Sequence, residues 1–308
     1  MFSAFNYIYW EPKDFPITIK IISTKVFESI EKVDFPDDSE IQTIKNEAFG
    51  SSCKITTFYL PSSVTELEEG WCKNAGKSLT ITVSPKNKRF TSHKKDLIIG
   101  KSDPQSDNFD TLYFVSRDIE QLEIPSFIKK INSYAISECD NLLNVTIPEN
   151  SELEIIDSYA FSMSTITKIF IPKHVKTICE RAFNRCTNLF KIEFDQNSEI
   201  QTIERGAFAY TIIEHLNIPA SLKELKSGWC TRLNNLLSIS ISTENKYFSV
   251  FEGKMIVGKS NPNDDVYDIL HYVTHNALEI TIPQFIKKID DYAFTNCSRL
   301  HTVEFSKD

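Results

Sequence analysis

An isoleucine four residues ahead of an Ala-Phe pair recurs along the chain, and that repetition restricts the fold more than any other feature. It stands at Ile44-x-x-x-Ala48-Phe49, Ile156-x-x-x-Ala160-Phe161, Ile178-x-x-x-Ala182-Phe183, Ile203-x-x-x-Ala207-Phe208 and Ile289-x-x-x-Ala293-Phe294. Ile131-x-x-x-Ala135-Ile136 keeps the spacing without the phenylalanine. Six to ten residues later comes an alternating apolar strand, often closed by proline, as in Phe58-Tyr59-Leu60-Pro61, Val145-Thr146-Ile147-Pro148, Ile169-Phe170-Ile171-Pro172 and Leu216-Asn217-Ile218-Pro219. The period is about 22–25 residues.

The unit explains its own spacing. Period-2 alternation turns two apolar side chains of each strand inward and leaves the residues between them outside. Proline ends the strand because it has no N–H to continue the ladder. The Ile-x-x-x-Ala-Phe piece is expected to return on the outer side as a short helical turn, alanine allowing close approach and phenylalanine filling the space between coils. One unit cannot bury its own apolar face, but stacked units share a continuous core. The fold class is therefore an α/β repeat: a solenoid with a parallel concave β-sheet, short helical turns on the convex side and two inserted β-hairpins.

Those hairpins follow from a larger duplication. Gly70-Trp71-Cys72 returns as Gly228-Trp229-Cys230, Ile99-Gly100-Lys101-Ser102 as Val257-Gly258-Lys259-Ser260, and Ile124 through Ile131 as Ile282 through Ile289, all at an offset of 158. Inside each copy one repeat is interrupted, at about 84–118 and about 242–276. Leu97-Ile98-Ile99 with Leu112-Tyr113-Phe114-Val115, and Met255-Ile256-Val257 with Leu270-His271-Tyr272-Val273, read as hairpins on the outer side. Residues 1–308 form one continuous solenoid in this reading, with 1–18 as an amino-terminal cap.

With those residues in view, the chain resembles the BspA-like, or treponemal-type, leucine-rich-repeat proteins. The family unit Val-x-x-Ile-x-x-x-Ala-Phe-x-x-Cys-x-x-Leu-x-x-Ile-x-Ile-Pro is nearly spelled out from Val175 to Ile192 and again from Phe285 to Phe305. Asn87 and Asn245 begin segments similar to the family's Asn-x-x-Phe hairpin insertions. The resemblance implies a non-catalytic protein-recognition scaffold. Members occur in bacteria and anaerobic parasitic protists, often as surface antigens that adhere to host cells or matrix proteins.

Composition narrows the alternatives. A 41% hydrophobic, 12% aromatic chain of 308 residues has enough apolar surface for a core, which excludes global disorder. A net charge of −8 argues against nucleic acid as a partner. No apolar run reaches the roughly 18 residues of a membrane span. The first ten residues lack the basic start and apolar run of a secretory leader, and Phe305-Ser306-Lys307-Asp308 carries no anchor signal. These features favour an alternative reading, an intracellular adaptor for cytoplasmic partners, as do seven cysteines that suggest no pairing.

Enzymatic motifs are missing. There is no Cys-x-x-Cys, no His-Glu-x-x-His and no phosphate-binding glycine loop. His271 and His275 have helical metal spacing but lie in a strand-like run, about 13 Å apart. No cofactor, metal or catalytic residue is expected, and the cysteines read as buried apolar groups.

What remains is the concave face. Tyr59, Gln121, Glu123, Lys168, Phe170, Lys191, Glu193, His215 and Asn217 flank the inward strand positions and are the candidate protein-binding residues, with Tyr59 and Phe170 as aromatic anchors. An open end is expected to allow a homodimer. Lys86, Lys88, Arg89, Lys94 and Lys95 form a basic run beside Phe90, but the second copy has Glu244 and Glu252 in place of Lys86 and Lys94. The run is therefore read as a solvated loop.

Overall fold

Alternation sets the wide side of every coil, and ten strands of three or four residues carry it: Thr57–Leu60, Thr80–Val83, Gln121–Glu123, Asn144–Thr146, Lys168–Ile171, Lys191–Phe194, His215–Ile218, Ser238–Ile241, Glu279–Ile282 and Thr302–Phe305. The computed structural model describes residues 17–36 and 38–306, so the cap expected over 1–18 lies outside the described residues except for its last two. Successive wide strands pair in parallel and in step, Lys168 opposite Lys191 and Ile169 opposite Ile192. The second residue of the strand is buried in Phe58, Ile81, Leu122, Ile169, Ile192 and Leu216. A turn follows the closing proline, with the Val175 N–H donating to Pro172 O at 3.2 Å.

A narrow ladder of two-residue strands closes the other side. Ile155–Ile156, Thr177–Ile178, Thr202–Ile203 and Glu224–Leu225 pair in sequence, and the repeat isoleucine is the buried second residue of the first three.

The expected helical turns are not there. Among the described residues there is no helix, and so none long and apolar enough to cross a membrane. The fold is an all-β solenoid, and the α/β class is corrected to that. The cause is backbone handedness. The residue just before the Ala-Phe (or Ala-Ile) pair is left-handed in Glu47, Tyr134, Tyr159, Arg181 and Tyr292, with φ between 53° and 64°. A second left-handed residue follows four positions later at Glu138, Met163, Arg185 and Asn296. No right-handed helix passes through such residues, and each costs about 1 kcal/mol or more outside glycine.

Hydrogen bonds between coils offset that cost. The N–H groups of Tyr159, Phe161 and Met163 donate to the carbonyls of Glu180, Ala182 and Asn184 at 3.0, 2.8 and 2.9 Å. Arg181, Phe183 and Arg185 repeat the pattern on Arg205, Ala207 and Ala209. A helix would have spent these donors inside one coil. Side chains add to the outer ladder, Tyr134 stacking on Tyr159 at 4.8 Å with Arg181 over the Tyr159 ring.

The interrupted repeats are hairpins as expected, each extended to three antiparallel strands: Phe90–His93, Leu97–Gly100 and Thr111–Val115, then Phe248–Phe251, Met255–Gly258 and Ile269–Val273. Their outer placement is corrected. Every residue of Leu97–Gly100 and Thr111–Val115 is buried. Leu97, Ile99, Leu112 and Val115 face the central core, whereas Ile98, Tyr113 and Phe114 face the amino-terminal one. In the second copy Ile256 and Tyr272 face the central core and Met255, Val257, Leu270 and Val273 the last. A strand apolar on both faces needs a core on both. The islands are therefore internal walls, and the apolar interior is divided into three clusters rather than continuous.

One of the positions at which the walls differ is Tyr113 in the first and His271 in the second. His271 Nδ1 lies 3.0 Å from Asp290 Oδ2, and Lys288 Nζ lies 3.0 Å from the other oxygen. Burial holds the His271 imidazolium below the ordinary histidine range, against the opposing pull of Asp290. The unfolded chain thus takes up this proton before the folded one does, and stability is lost as pH falls below about 6.5. The unfolding midpoint is expected to drop between pH 7 and pH 5, and His271→Tyr, the first-wall residue, to abolish that drop in thermal scans.

Candidate interaction face

The nine predicted residues all lie on the wide ladder, at outward positions next to a buried strand residue. Seven are exposed, and Tyr59 and Phe170 are half-buried. Parallel register brings six of them onto one sheet. Lys168 stands opposite Lys191, Phe170 opposite Glu193, Lys191 opposite His215, and His215 and Asn217 opposite Ser238 and Ser240. Gln121 and Glu123 sit on a neighbouring two-stranded sheet, paired with Asn144 and Thr146. Tyr59 pairs with Thr82 on the far side of the first wall and does not join the others.

Charges on this face are lightly held. Lys191 Nζ is 2.7 Å from Glu193 within its own strand, and Lys94 reaches Glu123 at 3.3 Å. Exposed pairs of this kind contribute well under about 1 kcal/mol, so a ligand displaces them at little cost. His215 Nδ1 is 2.8 Å from Ser238 Oγ, and the Ser240 hydroxyl donates to Asn217 Oδ1.

A row of apolar side chains beside this face is absent from the sequence-based set. Leu143, Phe190 and Leu237 are 49%, 46% and 57% exposed at the entry to their strands. Coils at Thr167 and Glu214 intervene, which places the row at alternate coils, about 10 Å apart. The readable signal was the doublets Leu142-Leu143, Leu189-Phe190 and Leu236-Leu237, in which the first residue alone is buried.

Among the described residues no group of three or more histidine, cysteine or acidic side chains could hold a metal ion. All seven cysteines are free thiols. Burial pushes the Cys186 and Cys179 thiols up to about 12, which suppresses the nucleophilic thiolate. Cys72 and Cys139 lie 3.4 and 3.8 Å from the buried guanidinium of Arg117, yet burial still raises both.

Several known proteins share this architecture. The crystal structure of the pneumococcal vaccine antigen PcpA superposes with a TM-score of 0.56 at 18% identity, over 71% of this chain and 65% of that one. A leucine-rich-repeat protein from Eubacterium ventriosum superposes with a TM-score of 0.54 at 19% identity, over 87% of this chain and 59% of that one. The chain thus spans somewhat less than two thirds of both, and at these identities the likeness is one of fold. No curated protein matches the sequence. The family described as "BspA type Leucine rich repeat region" matches in six copies over residues 2–94, 108–251 and 265–308, and the two internal gaps hold the middle strand and following loop of each island. The chain belongs to the BspA-type leucine-rich-repeat family.

Proposed function

We propose that the chain is a non-catalytic protein-recognition scaffold at a microbial or parasite surface, adhering to host matrix or cell-surface proteins through its wide face. The observation that carries this reading is the exposed row of Leu143, Phe190 and Leu237 beside Lys168, Phe170, Lys191, Glu193, His215 and Asn217. Apolar and aromatic anchors within a polar surround are what protein interfaces select. The resemblance in fold to a pneumococcal vaccine antigen supports the surface location. Gln121 and Glu123 extend the same face in this reading, and Tyr59 is a separate contact point beyond the first wall.

Adhesion of the purified chain to cultured host cells tests the proposal. Phe170→Ala combined with Phe190→Ser is expected to reduce binding about tenfold or more. Because both side chains project outward, the two changes should lower folding stability by less than about 1 kcal/mol. Unchanged adhesion by a folded variant would remove this face from the proposal.

The seven free thiols favour a second reading, an intracellular adaptor. Labelling of intact, unpermeabilised cells separates the two, since an adaptor stays unlabelled. Self-association belongs to either reading. Ile289, Val303 and Phe305 are exposed in the last described coil, and a second copy stacked there would cover them, giving a dimer in sedimentation.

A further inference from the structure

A cleft of about 390 Å³ opens where the first wall leaves the stack. On one side stand Lys86, Lys88 and Arg89, and on the other the hydroxyl side chains Ser62, Ser63 and Thr65. No carboxylate lines it, and among the described residues none of the three cations has an acidic partner within 4.0 Å. The Nε and Nη1 atoms of Arg89 and the Oγ of Ser63 are buried without a hydrogen-bond partner. Unmet guanidinium donors are costly; the Tyr113 hydroxyl lies beside Arg89, and an acceptor in the cleft reaches the buried donors after a small shift of the side chain.

The two sides are fixed to each other by Asn87. Its Nδ2 donates to Pro61 O at 2.8 Å and Val64 O at 3.0 Å, and its Oδ1 accepts from the N–H groups of Arg89 and Phe90 at 2.8 Å each. The loop bearing the cations is thereby tied to the turn bearing the hydroxyls. Less ordering remains to be done when a ligand arrives.

The duplication supplies an internal comparison. Asn245 makes the same four contacts, and Ser221 Oγ is buried and unpartnered like Ser63 Oγ. The side chains differ: Glu244 replaces Lys86, Tyr247 replaces Arg89 and Ala220 replaces Ser62. The second cleft is lined by Glu244, Asp264 and Asp265 along with Lys246 and Lys259. The reading of the basic run as a solvated loop rested on that loss of charge. In the folded chain Lys86, Lys88 and Arg89 converge on a walled cleft, and the second copy has exchanged charge within the same niche.

We propose that this first-copy cleft binds a tetrahedral oxyanion, a phosphate or sulfate group, with Arg89, Lys86 and Lys88 supplying charge and Ser62, Ser63 and Thr65 supplying hydroxyl donors. The guanidinium fork suits two oxygens of such a group at once. The oxyanion is either a free ion or an ester on an acidic sugar, and 390 Å³ admits both.

Calorimetric titration of the full chain with inorganic phosphate, inorganic sulfate, a sulfated disaccharide and its desulfated counterpart is the test. Saturable binding of at least one oxyanion probe, weakened by added chloride, is expected. The desulfated sugar should not bind. Equal affinity for free ion and ester assigns the site to the ion, and preference for the ester assigns it to the sugar. Lys86→Glu with Arg89→Tyr installs the second-copy residues and is expected to weaken binding about tenfold or more without lowering the unfolding midpoint. Lys88→Gln, an exposed change, gives the same readout should the double variant fold poorly. Lys94→Gln, whose lysine pairs with Glu123 away from the cleft, should bind as the parent does. Absence of saturable oxyanion binding, undiminished binding by the folded variants, or an equal loss on Lys94→Gln would each overturn the site.

Discussion

Phe183→Ala is expected to cost about 4 kcal/mol of stability, the middle of the range for deleting a buried aromatic side chain. Phe183 is fully buried, with the Phe161 ring at 5.0 Å and the Phe208 ring at 5.9 Å, both nearly parallel to its own. Truncation removes two ring contacts and opens a cavity spanning the coil. In most cores neighbours relax into such a space. Here relaxation would require adjacent coils to approach, and their separation is fixed by ladders on three sides, including the bond from Phe183 N–H to Ala207 O at 2.9 Å. Urea unfolding of the variant against the parent measures the loss. A value below about 1 kcal/mol would mean that the coils do slide, and that the stack is softer than its hydrogen bonding indicates.

Asn245→Ala is expected to cost about 3 kcal/mol through a different mechanism. The side chain is buried, donates from Nδ2 to Pro219 O at 2.9 Å and Leu222 O at 3.0 Å, and accepts at Oδ1 from Tyr247 and Phe248 N–H at 2.8 Å each. Alanine leaves the Leu222 carbonyl and two N–H groups unmet, while Pro219 O keeps the Leu222 N–H at 3.4 Å, and each buried orphan costs about 1 kcal/mol or more. Asn245→Asp keeps the acceptor but loses both donors and sets a carboxylate against two carbonyl oxygens, so it should fare no better. Thermal unfolding measures the cost, and hydrogen exchange should show Phe248–Phe251 losing protection first. Near-parental stability in the alanine variant would show that water substitutes for the amide.

Much of the architecture was legible, and each part that was not has its own physical cause. Alternation in Ile169-Phe170-Ile171 fixed which side chains face out, and Lys168, Phe170, Lys191 and Glu193 lie where that rule puts them. The helical reading of Ile-x-x-x-Ala-Phe failed because Tyr159 and Arg181 adopt left-handed φ without being glycine. The hint lay in Gly70, Gly206 and Gly228, which occupy the same register and have φ of 71°, 65° and 73°. Glycine at one register in several coils announces a left-handed turn for all of them. The unbroken apolar runs of the islands likewise marked strands buried on both faces, and only their covering was misplaced. Phe190 escaped notice because alternation assigns residues within a strand, not at its entry. Charge divergence between the copies was visible, but the cleft it belongs to forms only when Ser62 and Lys86 are brought together by Asn87.

The two walls have a consequence for how such a chain fails and how it can be lengthened. A stack of identical coils unravels like a dropped stitch, each loosened turn exposing the next. A sheet set across the stack, with its own hydrogen bonds and apolar residues on both sides, acts as a bulkhead. Damage at either end should halt there, leaving intact the compartment that carries Lys168, Lys191 and His215. Coils could be added or lost outboard of the bulkheads while that compartment, and whatever it holds, keeps its shape.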